Sequence, residues 1–206
     1  MAIATSILES AAIYVLVQMY IWKWQYSHPK IALVIVLLLL LSHLCHHETP
    51  HRLGFRVDNL AVSMRESLVW TIPFVLLFVG IGVWTNRIWL IPLRWYAFRR
   101  YLRYSLWGLF QEYGLQAFFQ NRIATLAPNP LVRSFLNGLI FMSFHFPNPA
   151  LMVFTFLGGV VFSVLYARHR NLFPLGILHG FLGLLLSNTF PREWLHNMRV
   201  GPGYFR

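Results

Sequence analysis

The sequence predicts an all-α fold: a polytopic membrane helix bundle of about seven transmembrane helices, with one further helix lying in the interface. Three observations lead there. Of 206 residues, 57% are hydrophobic and only 11% are charged, against about 25% charged in an ordinary soluble domain. Mean hydropathy is +0.56. The apolar residues also fall into runs close to the roughly 20 residues needed to cross a bilayer.

Seven runs qualify, at 1–22, 30–44, 66–84, 101–120, 131–145, 150–167 and 172–189. The second and fifth are short, and the fifth suits a helix that tilts or stops partway. Between the third and fourth, RIWLIPLRWYAFRRYLR at 87–103 mixes Trp, Tyr and Arg, the composition of an interfacial segment. Breaks fall at His28-Pro29, Thr49-Pro50, Pro128-Asn129-Pro130, Phe146-Pro147-Asn148-Pro149 and Arg168-His169-Arg170-Asn171. No repeat, low-complexity linker or soluble domain interrupts the pattern, so 1–206 reads as one integral membrane domain. The N-terminal run has no basic start and no small-residue cleavage site, which predicts a retained span rather than a signal peptide. With seven spans, a small excess of Lys and Arg shares the side of the C-terminus, which favours a cytoplasmic C-terminus.

A formal net charge of +11 would suit a nucleic-acid partner, but the basic residues lie between apolar runs and form no separate basic domain. They read instead as anchors for a lipid bilayer with anionic headgroups. A single cysteine, Cys45, excludes an intramolecular disulfide and a multi-cysteine metal site.

Ionisable residues inside spans are rare and carry function by default. Glu112, in LFQEYGLQAFF, is one of six acidic residues in the chain, and a carboxylate at mid-span costs about 2.5–3.5 kcal/mol on insertion scales. It shares a helix face with Gln116, four residues on. His145 closes FMSFH, one turn after Phe141, and His179 lies in ILHGFLG within the last run. Taken singly, a buried Glu is as well explained by a hydrogen bond between helices, and a buried His by a satisfied core position. Three helices each offering one titratable group point to a shared site. Two chemistries stay open. Glu112 acts as general base on a water while an imidazole stabilises an oxyanion, or Glu112, His145 and His179 form a three-ligand set for Zn2+ with a fourth position for water. A haem bound between His43, His145 and His179 is a further alternative.

HLCHHETPH at 43–51 is a second cluster of potential ligands. It lacks the HExxH order and sits at a span end before Thr49-Pro50, so a structural or interfacial role is expected. There is no GxSxG, and Ser143 and His145 are two apart and face different ways.

The order of these groups resembles the CAAX-protease and bacteriocin-processing family of intramembrane proteases (CPBP, or Abi). Its motifs are EExxxR, FxxxH and HxxxN on separate helices. QEYGLQ at 111–116 falls at the first, FMSFH at 141–145 matches the second in full, and HGFLG at 179–183 falls at the third. RLGFR at 52–56 and GGVVFSVLYARHRNLFPLGILHG resemble the family's flanking text, so the likeness covers about 50–190. It implies an endopeptidase, glutamate- or metal-dependent, acting on prenylated or other membrane-bound protein or peptide substrates, with a bacterial plasma membrane as the expected location. Glu112, His145 and His179 take the family's second Glu and its two His positions. Phe141 completes FxxxH. Gln111 stands for the first Glu, Gln116 for Arg and Gly183 for Asn. Those departures also leave open a catalytically impaired relative that serves as a membrane-protein binding, immunity or scaffold factor.

Overall fold

The computed structural model of the protein describes residues 2–87 and 95–206. All regular structure among the described residues is helical. Helix α1 (Ala2–Met19) runs on through a wide π-helical turn, Tyr20–Trp24. It is followed by α2 (Ile31–Cys45), α3 (Leu60–Trp84) and α4 (Trp95–Glu112). Helix α4 continues without a break into a π-helical segment, Tyr113–Gln120, and one last turn, α5 (Asn121–Ile123). Then come α6 (Pro130–Ser143), α7 (Pro149–His169), α8 (Leu172–Thr189) and the short α9 (Arg192–Leu195).

Among the described residues, four stretches are long and apolar enough to cross a membrane: Ile3–Trp24, Leu60–Trp84, Pro149–His169 and Leu172–Thr189. Of the other three expected spans, 30–44 is the 15-residue α2 and 131–145 is the 14-residue α6, both short by sequence as anticipated. The run at 101–120 is divided between α4, whose Arg99, Arg100 and Arg103 make its first half too polar to count, and the π-helical segment that follows. Of the interfacial segment expected at 87–103, residues 88–94 lie outside the described residues, and from Trp95 onward the chain is already in α4.

The helices are inside-out relative to a soluble bundle. On α3 the buried stripe is Ser63, Ser67, Thr71, Phe78 and Gly82, while Val62, Leu68, Val69, Ile72, Leu76 and Leu77 are exposed. On α2 only Ile35, Leu39 and His43 are buried, at four-residue spacing, and the surrounding leucines face outward. With lipid outside there is no hydrophobic gain in hiding leucine, so small and polar residues take the contacts.

Three Asn-led caps set the frame. Asn129 accepts from the backbone N–H of Leu131 and Val132 with Pro130 behind it. Asn148 caps α7 with Pro149 behind it, and Asn171 caps α8 through Phe173 N–H. Asparagine supplies the missing acceptor, and proline brings a preset φ at a position whose N–H is spare. The RLGFR stretch docks on the α7–α8 turn: Tyr166 Oη donates to Leu53 O (3.0 Å), and Leu172 N–H to Gly54 O (2.9 Å). Asn171 Nδ2 reaches Asn59 Oδ1 (2.8 Å) and Arg56 O (3.0 Å).

Glycines let α8 lie almost against α4. A Cβ at Gly176 would stand 2.7 Å from Leu109 Cα, and one at Gly180 would stand 2.5 Å from Ser105 Cα. On the facing side, a Cβ at Gly108 would meet Gly176 O at 2.9 Å and His179 Cβ at 3.0 Å. Gly176 and Gly180 form the small-xxx-small spacing that brings membrane helices to close contact. That contact fixes His179 relative to the end of α4.

Candidate active site

Glu112 ends α4 fully enclosed, with 0% of its surface exposed. Its Oε1 lies 2.8 Å from His179 Nδ1. Its Oε2 accepts from Gln116 Nε2 at 2.9 Å. An enclosed carboxylate must be met by donors on both oxygens, and here an imidazole and an amide supply them. Gln116 is held in turn. Its Oε1 accepts from Ser163 Oγ (3.0 Å) on α7 and Asn137 Nδ2 (3.1 Å) on α6. Asn137 Nδ2 also lies 3.3 Å from Gln120 Oε1, and Gln120 Nε2 donates to Ser163 O at 2.8 Å. The ladder ties α4, the π-helical segment, α6, α7 and α8 together. Asn137, Ser163 and Gln120 were not singled out in the sequence, although an amide or hydroxyl inside an apolar run is itself a signal that a partner is required.

His145 sits two residues past the end of α6, in the turn before Pro147-Asn148-Pro149. Its Nδ1 donates to Phe141 O (2.9 Å), and its ring stands edge-on to Phe141 with centroids 4.8 Å apart. Phe141 also faces the His179 ring at 5.7 Å. The Phe and His of FxxxH therefore touch, and Phe141 links the two imidazoles. Each imidazole has its Nδ1 committed to an acceptor, a carboxylate for His179 and a carbonyl for His145. That leaves Nε2 of each with no partner among the described residues and, in the neutral ring, with a lone pair.

Two cavities meet here. The first, about 340 Å³, is lined by His145, His179, Gln111, Phe141, Phe162 and Gly183 among others. The second, about 290 Å³ and more apolar, lies toward α1 and α2 and is lined by Ile13, Val17, Leu39, Leu115, Gln111 and His145 among others. Gln111, Phe141 and His145 belong to both walls. Gln111 and Glu112, neighbours in sequence, thus take opposite positions. Gln111 faces the open space with an amide that makes no hydrogen bond among the described residues, while Glu112 stands behind His179. Glu112 does not line either cavity. Both Glu112 carboxylate oxygens are taken by protein partners and the residue is sealed.

The residues do not fit a three-ligand zinc centre as arranged. Glu112 turns its oxygens to His179 and Gln116, and among the described residues no group of three His, Cys, Asp or Glu is gathered closely enough to hold a metal ion.

The second cluster makes a separate network. Arg122, buried at the end of the π-helical segment, donates from Nε to Glu9 Oε2 (2.9 Å) and from its amino nitrogens to Glu48 (3.0 and 3.2 Å) and Ser42 Oγ (2.9 Å). His43 Nδ1 meets Glu48 Oε2 at 2.7 Å, and His46 Nε2 meets Glu9 at 3.0 Å. Burial pushes the Glu48 carboxyl up, but hydrogen bonds from His43 and Arg122 outweigh it and hold it down at about 2. This network fastens α1 and α2 to the rest of the bundle. Arg122 is committed there and brings no charge to Glu112.

Fold and site define a membrane-helix protein with a glutamate–histidine pair buried beside an apolar, two-chambered cleft. Residues 92–185 match the Rce1-like family, described as type II CAAX prenyl endopeptidase Rce1-like. The resemblance to the CAAX-protease family is borne out over that stretch. The family is one of CAAX-protease-like intramembrane endopeptidases, and with the four apolar helices it supports an integral membrane protein. No curated protein and no solved structure matches the chain.

Proposed function

We propose that the protein is an intramembrane endopeptidase that cleaves a membrane-embedded or lipidated protein or peptide, with His179 as the general base and Glu112 as the group that positions it. The observation that carries this is the 2.8 Å contact between Glu112 Oε1 and His179 Nδ1 behind an open cavity. A carboxylate on Nδ1 fixes the ring tautomer, aims Nε2 at the cavity and stabilises the imidazolium that forms when a proton arrives.

A water in the cavity gives hydrogen bonds to the Nε2 lone pairs of His179 and His145. His179 takes one proton, and the oxygen attacks a peptide carbonyl laid across the junction of the two chambers. The amide of Gln111 is the donor available to the developing oxyanion. His179 then returns the proton to the leaving amine. No step calls on a carboxylate inside the cavity, so Gln111 in place of an acid does not by itself stop the reaction. The apolar walls suit substrates that arrive from the bilayer with apolar side chains or a lipid chain on either side of the scissile bond.

The test compares peptide termini in membranes from cells that express the wild type, Glu112→Gln or His179→Ala. New termini are expected with the wild type, and both variants should reduce them by two orders of magnitude or more, the usual contribution of a positioned acid–base group. Identical terminus profiles in all three would remove the proteolytic reading and leave a binding or scaffold role.

A further inference from the structure

At the membrane edge where α3 and α8 end and α4 begins lies a separate pocket of about 330 Å³. That volume is within the range of about 300–1,000 Å³ typical of small-molecule sites. Arg87, Arg100 and Arg192 line it, together with Ser187, Asn188 and Tyr104. None of the described lining residues is acidic, and the chain has no acidic residue between Glu66 and Glu112. Three arginines thus line one space that no acidic residue lines among those described, Glu193 beside Arg192 being exposed and outside the lining.

Structural contacts account for Arg100, which also lies over the Tyr104 ring at 5.6 Å, but not for the Arg87 side chain. Arg100 donates to Ser187 Oγ (3.1 Å) and Asn188 Oδ1 (3.4 Å), side chains that keep its head turned along α8. Arg87 Nε is buried and has no hydrogen-bond partner among the described residues. The Arg87 backbone N–H donates to Gly82 O (2.7 Å) at the end of α3, but among the described residues no guanidinium of the three reaches the last carbonyls of α3 or α8. The carbonyl of Thr189 is instead taken by Thr85 Oγ1 at 3.2 Å. A buried donor without an acceptor, among like charges, calls for an anion.

The surroundings say which kind. Trp84 and Trp194 make a tilted contact, ring planes 48° and centroids 5.9 Å apart, and stand exposed, in the manner of an aromatic belt at the level of lipid headgroups. The apolar spans α3 and α8 end at this level. Tyr104 and Met198, whose Oη and Sδ lie 4.0 Å apart, form a wall shared with the 340 Å³ cavity.

We propose that Arg87, Arg100 and Arg192 bind the phosphate of an anionic lipid headgroup. Guanidinium forks grip two phosphate oxygens at once, which a lysine ammonium does not do. The site is distinct from the Glu112–His179 pair and stands whether or not the protein cleaves peptides.

The test uses the purified full chain in a neutral detergent, with retention of phosphatidylglycerol and phosphatidylcholine read by native mass spectrometry. The wild type should retain phosphatidylglycerol in preference. Arg87→Ala and Arg192→Ala should each weaken that retention roughly tenfold or more, the loss of one charge-assisted hydrogen-bonding partner. Arg192→Lys should recover only part of it, and Arg65→Ala on the outer face of α3 should change nothing. Equal retention of both lipids by the wild type, or unchanged retention in the two alanine variants, overturns the proposal. A variant that fails to fold is recognised by its thermal midpoint, and the lysine variant then decides. If inorganic phosphate binds the arginines and neither lipid is preferred, the pocket belongs to a soluble phosphate and the lipid assignment is lost.

Discussion

Replacing Gly108 by alanine tests whether close helix packing is what assembles the site. The added methyl would lie 3.0 Å from His179 Cβ and 3.1 Å from its Cγ, with Gly176 O at 2.9 Å. Carbon atoms rest at about 3.5–4.0 Å, so the imidazole must withdraw by roughly 0.5–1 Å. The contact from His179 Nδ1 to Glu112 Oε1 is 2.8 Å, and a retreat of that size carries it to the edge of hydrogen-bonding distance or beyond. Overpacking costs about 1–3 kcal/mol, and the better helix propensity of alanine returns about 1 kcal/mol. Net destabilisation should therefore stay near 0–2 kcal/mol. Loss of the charge-assisted bond, worth about 1.5–3 kcal/mol, should lower cleavage by roughly 10- to 150-fold. Thermal unfolding in detergent and cleavage of a membrane reporter give the two numbers. Gly80 is the control: nothing lies within 4 Å of its Cβ position, so Gly80→Ala should leave activity intact and stabilise by about 0.4–1 kcal/mol. Full activity in Gly108→Ala, or equal damage from both substitutions, would refute the packing argument.

Gln111→Glu places a carboxylate on the wall shared by both cavities, next to His145. A second proton acceptor there should raise the cleavage rate by tenfold or more and add an acid limb to its pH profile, measured with the same reporter. Gly183→Asn brings a Cβ within 3.3 Å of the Tyr104 ring edge, a contact that a small ring rotation relieves. The variant should fold with its midpoint nearly unchanged and gain activity from a second amide in the cavity, whereas a collapsed midpoint would contradict the geometry. The Glu48 carboxyl is held at about 2, against an unperturbed 4.5. A depressed folded value means its stabilisation is present above pH 4.5 and is lost as pH falls toward 2. Unfolding midpoints measured from pH 6 to 2 should fall more steeply for the wild type than for Glu48→Gln; parallel curves would contradict this.

The membrane bundle and the grouping of Glu112 with His179 were legible because apolar runs and stranded polar groups are one-dimensional signals. FxxxH likewise announced that Phe141 and His145 share a face. Span number was less legible, since α4 carries three arginines through a stretch whose later half is apolar. That Gln111 and not Glu112 would face the open space depends on how α4 is rotated against α8, which Gly108, Gly176 and Gly180 decide through contacts 60 to 80 residues apart. Arg122 finds Glu9 and Glu48 across separations of 113 and 74 residues. No local pattern foretells such pairs.

The widened turns between Tyr113 and Gln120 also bear on how the two ends of this helix keep their partners. Upstream of them the chain serves Glu112, and downstream it serves Arg122, each locked to different neighbours. Tightening these turns into an ordinary α-helix without removing a residue would rotate one end against the other, because each turn then takes fewer residues. Either the histidine or the two distant glutamates would lose their partner. The widened turns therefore hold the two ends in register, and a variant that forces an ordinary α-helix here is expected to disable the protein as surely as removing a site residue.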